Sequence, residues 1–138
     1  INSLDLKDDI NFVSGLSHSE LREQYCSSHV VVIPSLYEGF GFAAAEAMAC
    51  GVPALVSDGG SLKEIVGEAG KVIIPGDENA IVDAVNELFS YEDLRKNMVA
   101  KGISRVKDKF TWHNAALKLD NIYHQMIESH ANNKYSKT

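Results

Sequence analysis

Hydrophobic and polar positions along this chain follow two periods in turn. Four short apolar runs read as strands: 10–13 (Ile-Asn-Phe-Val), 30–33 (Val-Val-Val-Ile), 54–57 (Ala-Leu-Val-Ser) and 71–74 (Lys-Val-Ile-Ile). The second is unbroken Val and Ile, as expected of a strand covered on both sheet faces. Helical patterns lie between the runs. Ser17-x-x-Glu20 reads as a capping box opening a helix to about Ser27. The apolar stretch from about Phe42 to Cys50 reads as a buried helix that Gly51 can stop. Ser61-x-x-Glu64 reads as a second capping box, for a short helix ending near Gly67. Pro75-Gly76 closes the fourth run, and the rest is helical. Asp77 caps a helix with the apolar face Ile81, Val82, Val85, Leu88 and Phe89. Glu92 to about Val106 forms a more polar helix. Thr111 caps a last helix whose face is Trp112, Ala115, Ala116, Leu119, Ile122, Tyr123, Met126 and Ile127. The polar residues 131–138 predict a disordered tail.

Strands alternating with helices predict an α/β fold over residues 1–130. The expected form is a Rossmann-like parallel sheet of about four strands, with helices on both faces and a C-terminal helical segment. Ligands of such sheets bind at the carboxyl ends of the strands. That directs attention to the turns at 14–17, 35–41 and 57–60. The second places Gly39 and Gly41 between a strand and a helix, an arrangement that aims free backbone N–H groups at an anion. Glycine there allows a ligand close to the backbone, or serves only a tight turn. Two carboxylates accompany it: Glu38 in the turn and Glu46 in a helix otherwise made of Phe, Ala, Met and Cys. On a buried helix Glu46 must find donors. The spacing leaves open whether these are ligand hydroxyls or an Arg, Lys or backbone group of the same chain.

Composition narrows the classes. A length of 138 residues suits one domain, and 45% hydrophobic residues suffice for a core. A net charge of −6 speaks against a nucleic-acid partner. No run approaches the ~18 apolar residues of a membrane span. The start, Ile1-Asn2-Ser3, lacks the basic region and apolar core of a signal peptide, and beginning at Ile suggests a piece of a longer chain. Cys26 and Cys50 read as small hydrophobes of a reducing cytoplasm. The five histidines show no metal spacing and no Asp-x-Asp occurs, so no metal is expected. Arg95, Lys96, Lys101, Arg105, Lys107 and Lys109 read as a solvated helix face or as a contact for an anionic membrane.

Glu38 and Glu46 enclose seven residues within a longer frame: Pro34-Ser35-x-x-Glu38-Gly39-Phe40-Gly41-x-x-x-x-Glu46-Ala47-Met48-Ala49-x-Gly51-x-Pro53. This frame resembles the donor-sugar motif of retaining glycosyltransferases of family 4, which have the GT-B fold. The likeness continues through Ser57-Asp58-x-Gly60, Glu64-Ile65-Val66, Gly70-x-x-Ile73-x-Pro75-Gly76-Asp77 and Phe110-x-Trp112, covering roughly Asn11 to Tyr123. It implies transfer of a hexose-type sugar from a nucleotide-diphosphate sugar to a glycan or lipid-linked acceptor, with no further cofactor, in the cytoplasm. It implies Glu38 as the carboxylate at the transferred sugar, either as nucleophile or as a stabiliser of developing positive charge. It implies Glu46 on the ribose, the backbone of Gly39, Phe40, Gly41 and Phe42 on sugar hydroxyls and phosphate, and Leu16 beside the base. Ser14 stands where the family more often has Gly.

In the family, a separate N-terminal domain binds the acceptor, and basic residues preceding this stretch neutralise the diphosphate. The nearest basic candidates in this chain, Arg22 and Lys63, read as solvated helix residues. The resemblance therefore implies a piece that binds the donor and is inactive alone. Two competing readings are a non-catalytic nucleotide-binding module of the same fold and a receiver-like signalling domain. The latter would need an acidic cluster after the first strand, whereas Asp8 and Asp9 precede it. By resemblance the four strands are the third to sixth of an order 3-2-1-4-5-6. That order would leave the strand at 30–33 with an open edge. The strand at 10–13 is expected to cross over and pair there, giving the order 1-2-3-4, or else a second copy supplies the pairing.

Overall fold

The computed structural model describes residues 4–135. Helix α1 spans His18–Ser27, followed by β1 (Val31–Ile33), α2 (Phe42–Ala49) and β2 (Ala54–Ser57). Then come α3 (Leu62–Val66), a 3-10 turn (Gly67–Ala69) and β3 (Lys71–Ile73). The chain finishes with α4 (Glu78–Ser90), α5 (Glu92–Lys109) and α6 (Trp112–Tyr135). The strands form a parallel sheet in the order β1-β2-β3, with Val32 opposite Leu55 and Val56 opposite Val72.

The expected four-stranded order is corrected to three strands. Residues 10–13 form no strand, and Ile10, Phe12 and Val13 are exposed, Phe12 by 81%. The sequence did not reveal that this segment has no partner. A strand owes its stability to the ladder and cross-strand contacts, and an apolar run of four residues without them does not hold. Gly15, at φ +70, turns the chain into α1, and α1 lies against α2. Among the described residues β1 therefore keeps one open edge.

Side-chain alternation distributes the strands between two cores, as helices on both faces require. Ile33, Ala54 and Val56 join Ala44, Ala45 and Met48 of α2 and Leu62, Ile65 and Val66 of α3. Leu55 and Ile73 point the other way, to Ala84 of α4, with Val32, Ile81 and Val85 packed around them. Helix α5 crosses α2 at Gly102, where a Cβ would crowd Met48 at 3.2 Å.

Local signals set most helix ends. Ser17 and Glu20 form the predicted capping box, Asp77 accepts from the Ala80 amide (2.9 Å), and the Thr111 hydroxyl accepts from the Asn114 amide (3.2 Å). Gly51, at φ +74, ends α2 in a Schellman motif: its amide donates to Met48 and the Val52 amide to Ala47. The second capping box is corrected. Ser61 makes no cap bond, because its hydroxyl donates to the Glu38 carbonyl instead. The backbone of α6 runs helical to Tyr135, and of the tail expected at 131–138 the residues 136–138 lie outside the described part. The predicted apolar face of α6 is uncovered, with Trp112 92% exposed and Ile122, Tyr123, Met126 and Ile127 open.

Arg105 closes α3 from the far side of the chain. Its guanidinium donates to the carbonyls of Ile65 (2.7 Å) and Glu64 (2.6 Å), and lies where a Cβ on Gly67 would be. Arg105→Met keeps the stem and removes both bonds, so it should cost about 2 kcal/mol. Thermal unfolding of the full-length protein should show a midpoint lower by roughly 5 °C.

Candidate functional site

The carboxyl ends of β1 and β2 converge on the glycine turn. After Ile33 the chain runs through Pro34-Ser35-Leu36-Tyr37-Glu38-Gly39-Phe40-Gly41 into α2. Two tethers hold this turn. Ser57, fully buried, donates to the carbonyls of Ile33 (3.3 Å) and Ser35. The Ser61 amide and hydroxyl both donate to the Glu38 carbonyl at 3.1 Å. Gly59 and Gly60 make these contacts possible. A Cβ on Gly59 would collide with the Ser35 carbonyl, and one on Gly60 with that of Glu38.

The two glycines of the turn differ. Gly41 is the N-cap of α2, at φ +94, with Leu62 3.0 Å from where its Cβ would be. The fold itself requires glycine there. Gly39 lies outside the left-handed region, and nothing approaches its Cβ position within 4 Å. With Gly41 as N-cap, α2 has no side-chain cap. Among the described residues the amides of 39–43 donate to no protein acceptor, while those of Ala44 and Ala45 bond back to Gly41. Glu38 is half-buried beside this row of free donors, and its Cγ lies 3.9 Å from the Cβ position of Gly41.

Helix α2 corrects one expectation. Its inner face is buried, but Phe42, Glu46 and Ala49 are exposed, so Glu46 is not on a helix buried all round. Composition hid this, because Ala fits a core and a surface equally. The donor Glu46 finds in its own chain is neutral: the Tyr25 hydroxyl of α1, 3.1 Å from Oε2. Burial, the Glu46 charge and this bond push the Tyr25 phenol up to about 12, so it stays protonated across the physiological range. Glu46 also lines a groove of about 670 Å³ with Phe40, Phe42, Lys109, Phe110, Trp112 and Lys118. Phe40 stacks on Phe42 at 4.5 Å between centroids and meets the edge of Phe110 at 6.3 Å.

The remaining candidates sit apart. Leu16 is half-buried one residue before the Ser17 cap and is not among the residues lining that groove. Lys63 pairs with Asp58 across an exposed 3.2 Å contact. Arg22 is exposed. Of the basic stretch, Arg105 is bound to α3, Arg95 donates to the Leu88 carbonyl, and Lys96 and Lys101 face Glu92 and Glu68. Cys26 is exposed instead of packed as a small hydrophobe, and Cys50 is half-buried. Burial, and after it the neighbouring Cys26 thiol, push the Cys50 thiol up. Among the described residues no group of three His, Cys, Asp or Glu could hold a metal, and no helix is long and apolar enough to cross a membrane. Sequence reasoning missed Tyr25 and Lys118, and took Lys109 only as part of the basic stretch. Each comes to Glu46 from far along the chain, so spacing around Glu46 does not point to it.

The site is thus an uncapped glycine turn with a carboxylate on each side of it, at the carboxyl ends of a parallel sheet with helices on both faces, in an α/β domain of glycosyltransferase type. Residues 1–105 match the family of glycosyl transferases group 1, and the chain belongs to that family, whose members are of GT-B type. It is 35% identical over 114 residues to the O-antigen chain mannosyltransferase B of Escherichia coli, covering 83% of this chain and 30% of that protein. It is 33% identical over 130 residues to the MMP alpha-(1->4)-mannosyltransferase of Mycolicibacterium hassiacum, covering 92% and 32%. The chain thus spans about a third of the length of these curated relatives. Among solved structures, the sucrose-phosphate synthase of Thermosynechococcus elongatus superposes with a TM-score of 0.82 at 33% identity, over 93% of this chain and 33% of that one. The C-terminal domain of a glycosyl transferase group 1 family protein of Francisella tularensis gives 0.66 at 30% identity, over 75% and 53%. The family match disfavours a signalling module, and Asp8 and Asp9 are exposed in a segment without a strand.

Proposed function

We propose that this chain is the donor-binding part of a retaining, family 4-like glycosyltransferase. The full protein would move a hexose-type sugar from a nucleotide-diphosphate sugar to a glycan or lipid-linked acceptor. The observation that carries the reading is the turn at 39–41. Its free amides, with open space in front of Gly39, stand at the N-terminus of the helix that bears Glu46, with Glu38 beside them. Free amides and the positive helix end suit phosphate and sugar oxygens. A carboxylate accepts from two vicinal hydroxyls at once, which suits Glu46 to the ribose. Glu38 would meet the transferred sugar, where retention needs either a nucleophile or a steadying charge. Two free thiols favour a reducing compartment, and we place the reaction in the cytoplasm. The acceptor would bind on a separate domain, so the isolated piece is expected to be inactive.

Glu46 supplies the test. In the full-length protein, Glu46→Ala should weaken nucleotide-sugar binding by about 1.5–3 kcal/mol, roughly ten- to a hundredfold. Glu46→Gln should lose less, because the amide keeps one acceptor. Calorimetric titration measures both. Small and equal losses would assign Glu46 a structural role.

A further inference from the structure

We propose that Tyr25 is the positioning residue of the nucleotide site: its hydroxyl holds Oε2 of Glu46, leaving Oε1 and the remaining lone pair of Oε2 to accept the vicinal hydroxyls of a ribose. The inference rests on the reading of Glu46 as the ribose ligand.

An exposed glutamate on a helix surface samples several rotamers, and ordering it on binding lowers affinity. Tyr25 removes that freedom beforehand. Its phenol is half-buried, has two side-chain torsions, and sits on α1, which is fixed at one end by the Ser17–Glu20 box and packs along α2. The kind of donor matters as much as its place. Among the described residues Glu46 takes part in no ion pair. A lysine or arginine there would engage the carboxylate with several donors and compete with ligand hydroxyls. A phenol gives one hydrogen bond and uses one of about four acceptor sites. Tyr25 holds the carboxylate from α1, and Glu46 itself lines the groove with Phe40 and Phe42.

The test compares ribose with its hydroxyl-free counterpart. In the full-length protein, Kd is measured for the nucleoside diphosphate it binds, chosen from UDP, GDP and ADP, and for the 2′,3′-dideoxy form of the same nucleotide. Tyr25→Phe should weaken the ribonucleotide about tenfold, the equivalent of one hydrogen bond to a charged group, and leave the dideoxy form unchanged. Glu46→Gln should also shrink the ribose preference. In that background Tyr25→Phe should cost clearly less than tenfold, since the two residues act as a unit. A Tyr25→Phe variant that weakens both nucleotides alike, with a lowered melting midpoint, would show packing alone and overturn the proposal. So would an intact ribose preference in Tyr25→Phe alongside a reduced one in Glu46→Gln. If Glu46→Gln itself keeps the full preference, the ribose reading of Glu46 falls, and the role of Tyr25 falls with it.

Discussion

Glu38→Gln in the full-length protein should lower kcat by about a hundredfold while nucleotide affinity stays within about twofold. The tethers of the turn explain the second half. The Glu38 backbone is fixed by Ser61 through its carbonyl, and that carbonyl does not change with the side chain. Gln is nearly isosteric, so the turn and its free amides keep their geometry. Only the negative charge is removed. On the proposed reading of Glu38, as a nucleophile or as a group that steadies an oxocarbenium-like transition state, that charge would matter only while positive charge develops on the sugar. The loss should therefore appear in turnover and not in binding of the nucleotide. Steady-state kinetics with calorimetry on the same variant separate the two, and an unchanged kcat would take Glu38 out of the reaction.

Gly60→Ala and Gly39→Ala should both weaken donor binding but differ in stability. Gly60 sits at φ +66, and any Cβ there runs into the Glu38 carbonyl, which is backbone and cannot swing aside. The left-handed conformation and the overlap together should cost roughly 2–5 kcal/mol. The melting midpoint should fall by about 10 °C, and donor binding should weaken because the Ser61–Glu38 tether is displaced. Gly39 has neither constraint. Alanine there should leave stability within about 0.5 kcal/mol of the parent. It should still weaken nucleotide-sugar binding about tenfold, since the added methyl projects into the space a ligand would occupy. Melting curves and titrations on the two variants give four numbers. A Gly39→Ala protein that binds the donor normally would remove this turn from the donor site.

Much of the fold was legible because it is local. The runs at 30–33, 54–57 and 71–74 are mostly apolar over the right length, the first and last rich in Val and Ile, and they became β1, β2 and β3 with a residue trimmed at two ends. Ser17, Asp77 and Gly51 act on amides and carbonyls within one helical turn, so their roles could be read from spacing. The glycine turn and its two carboxylates were visible for the same reason, as neighbours along one stretch of chain.

What the tertiary structure decided depends on partners distant in sequence. Residues 10–13 carry a strand pattern, but a strand exists only beside another, and none pairs with it. Ser61 carries a capping pattern, yet the Glu38 carbonyl, 23 residues away, takes its hydroxyl. Arg105 looks solvated until α3, 40 residues earlier, is brought under it. The two glycines of the turn look alike in the sequence. Only the packing of Leu62 and the backbone angles show that Gly41 serves the fold and that Gly39 faces open space. Glu46 was found by spacing, but its exposure and its bond to Tyr25 arise where α1 crosses α2. Hydrogen bonds and contacts between segments follow from how helices lie on a sheet, and that arrangement is a property of the whole chain.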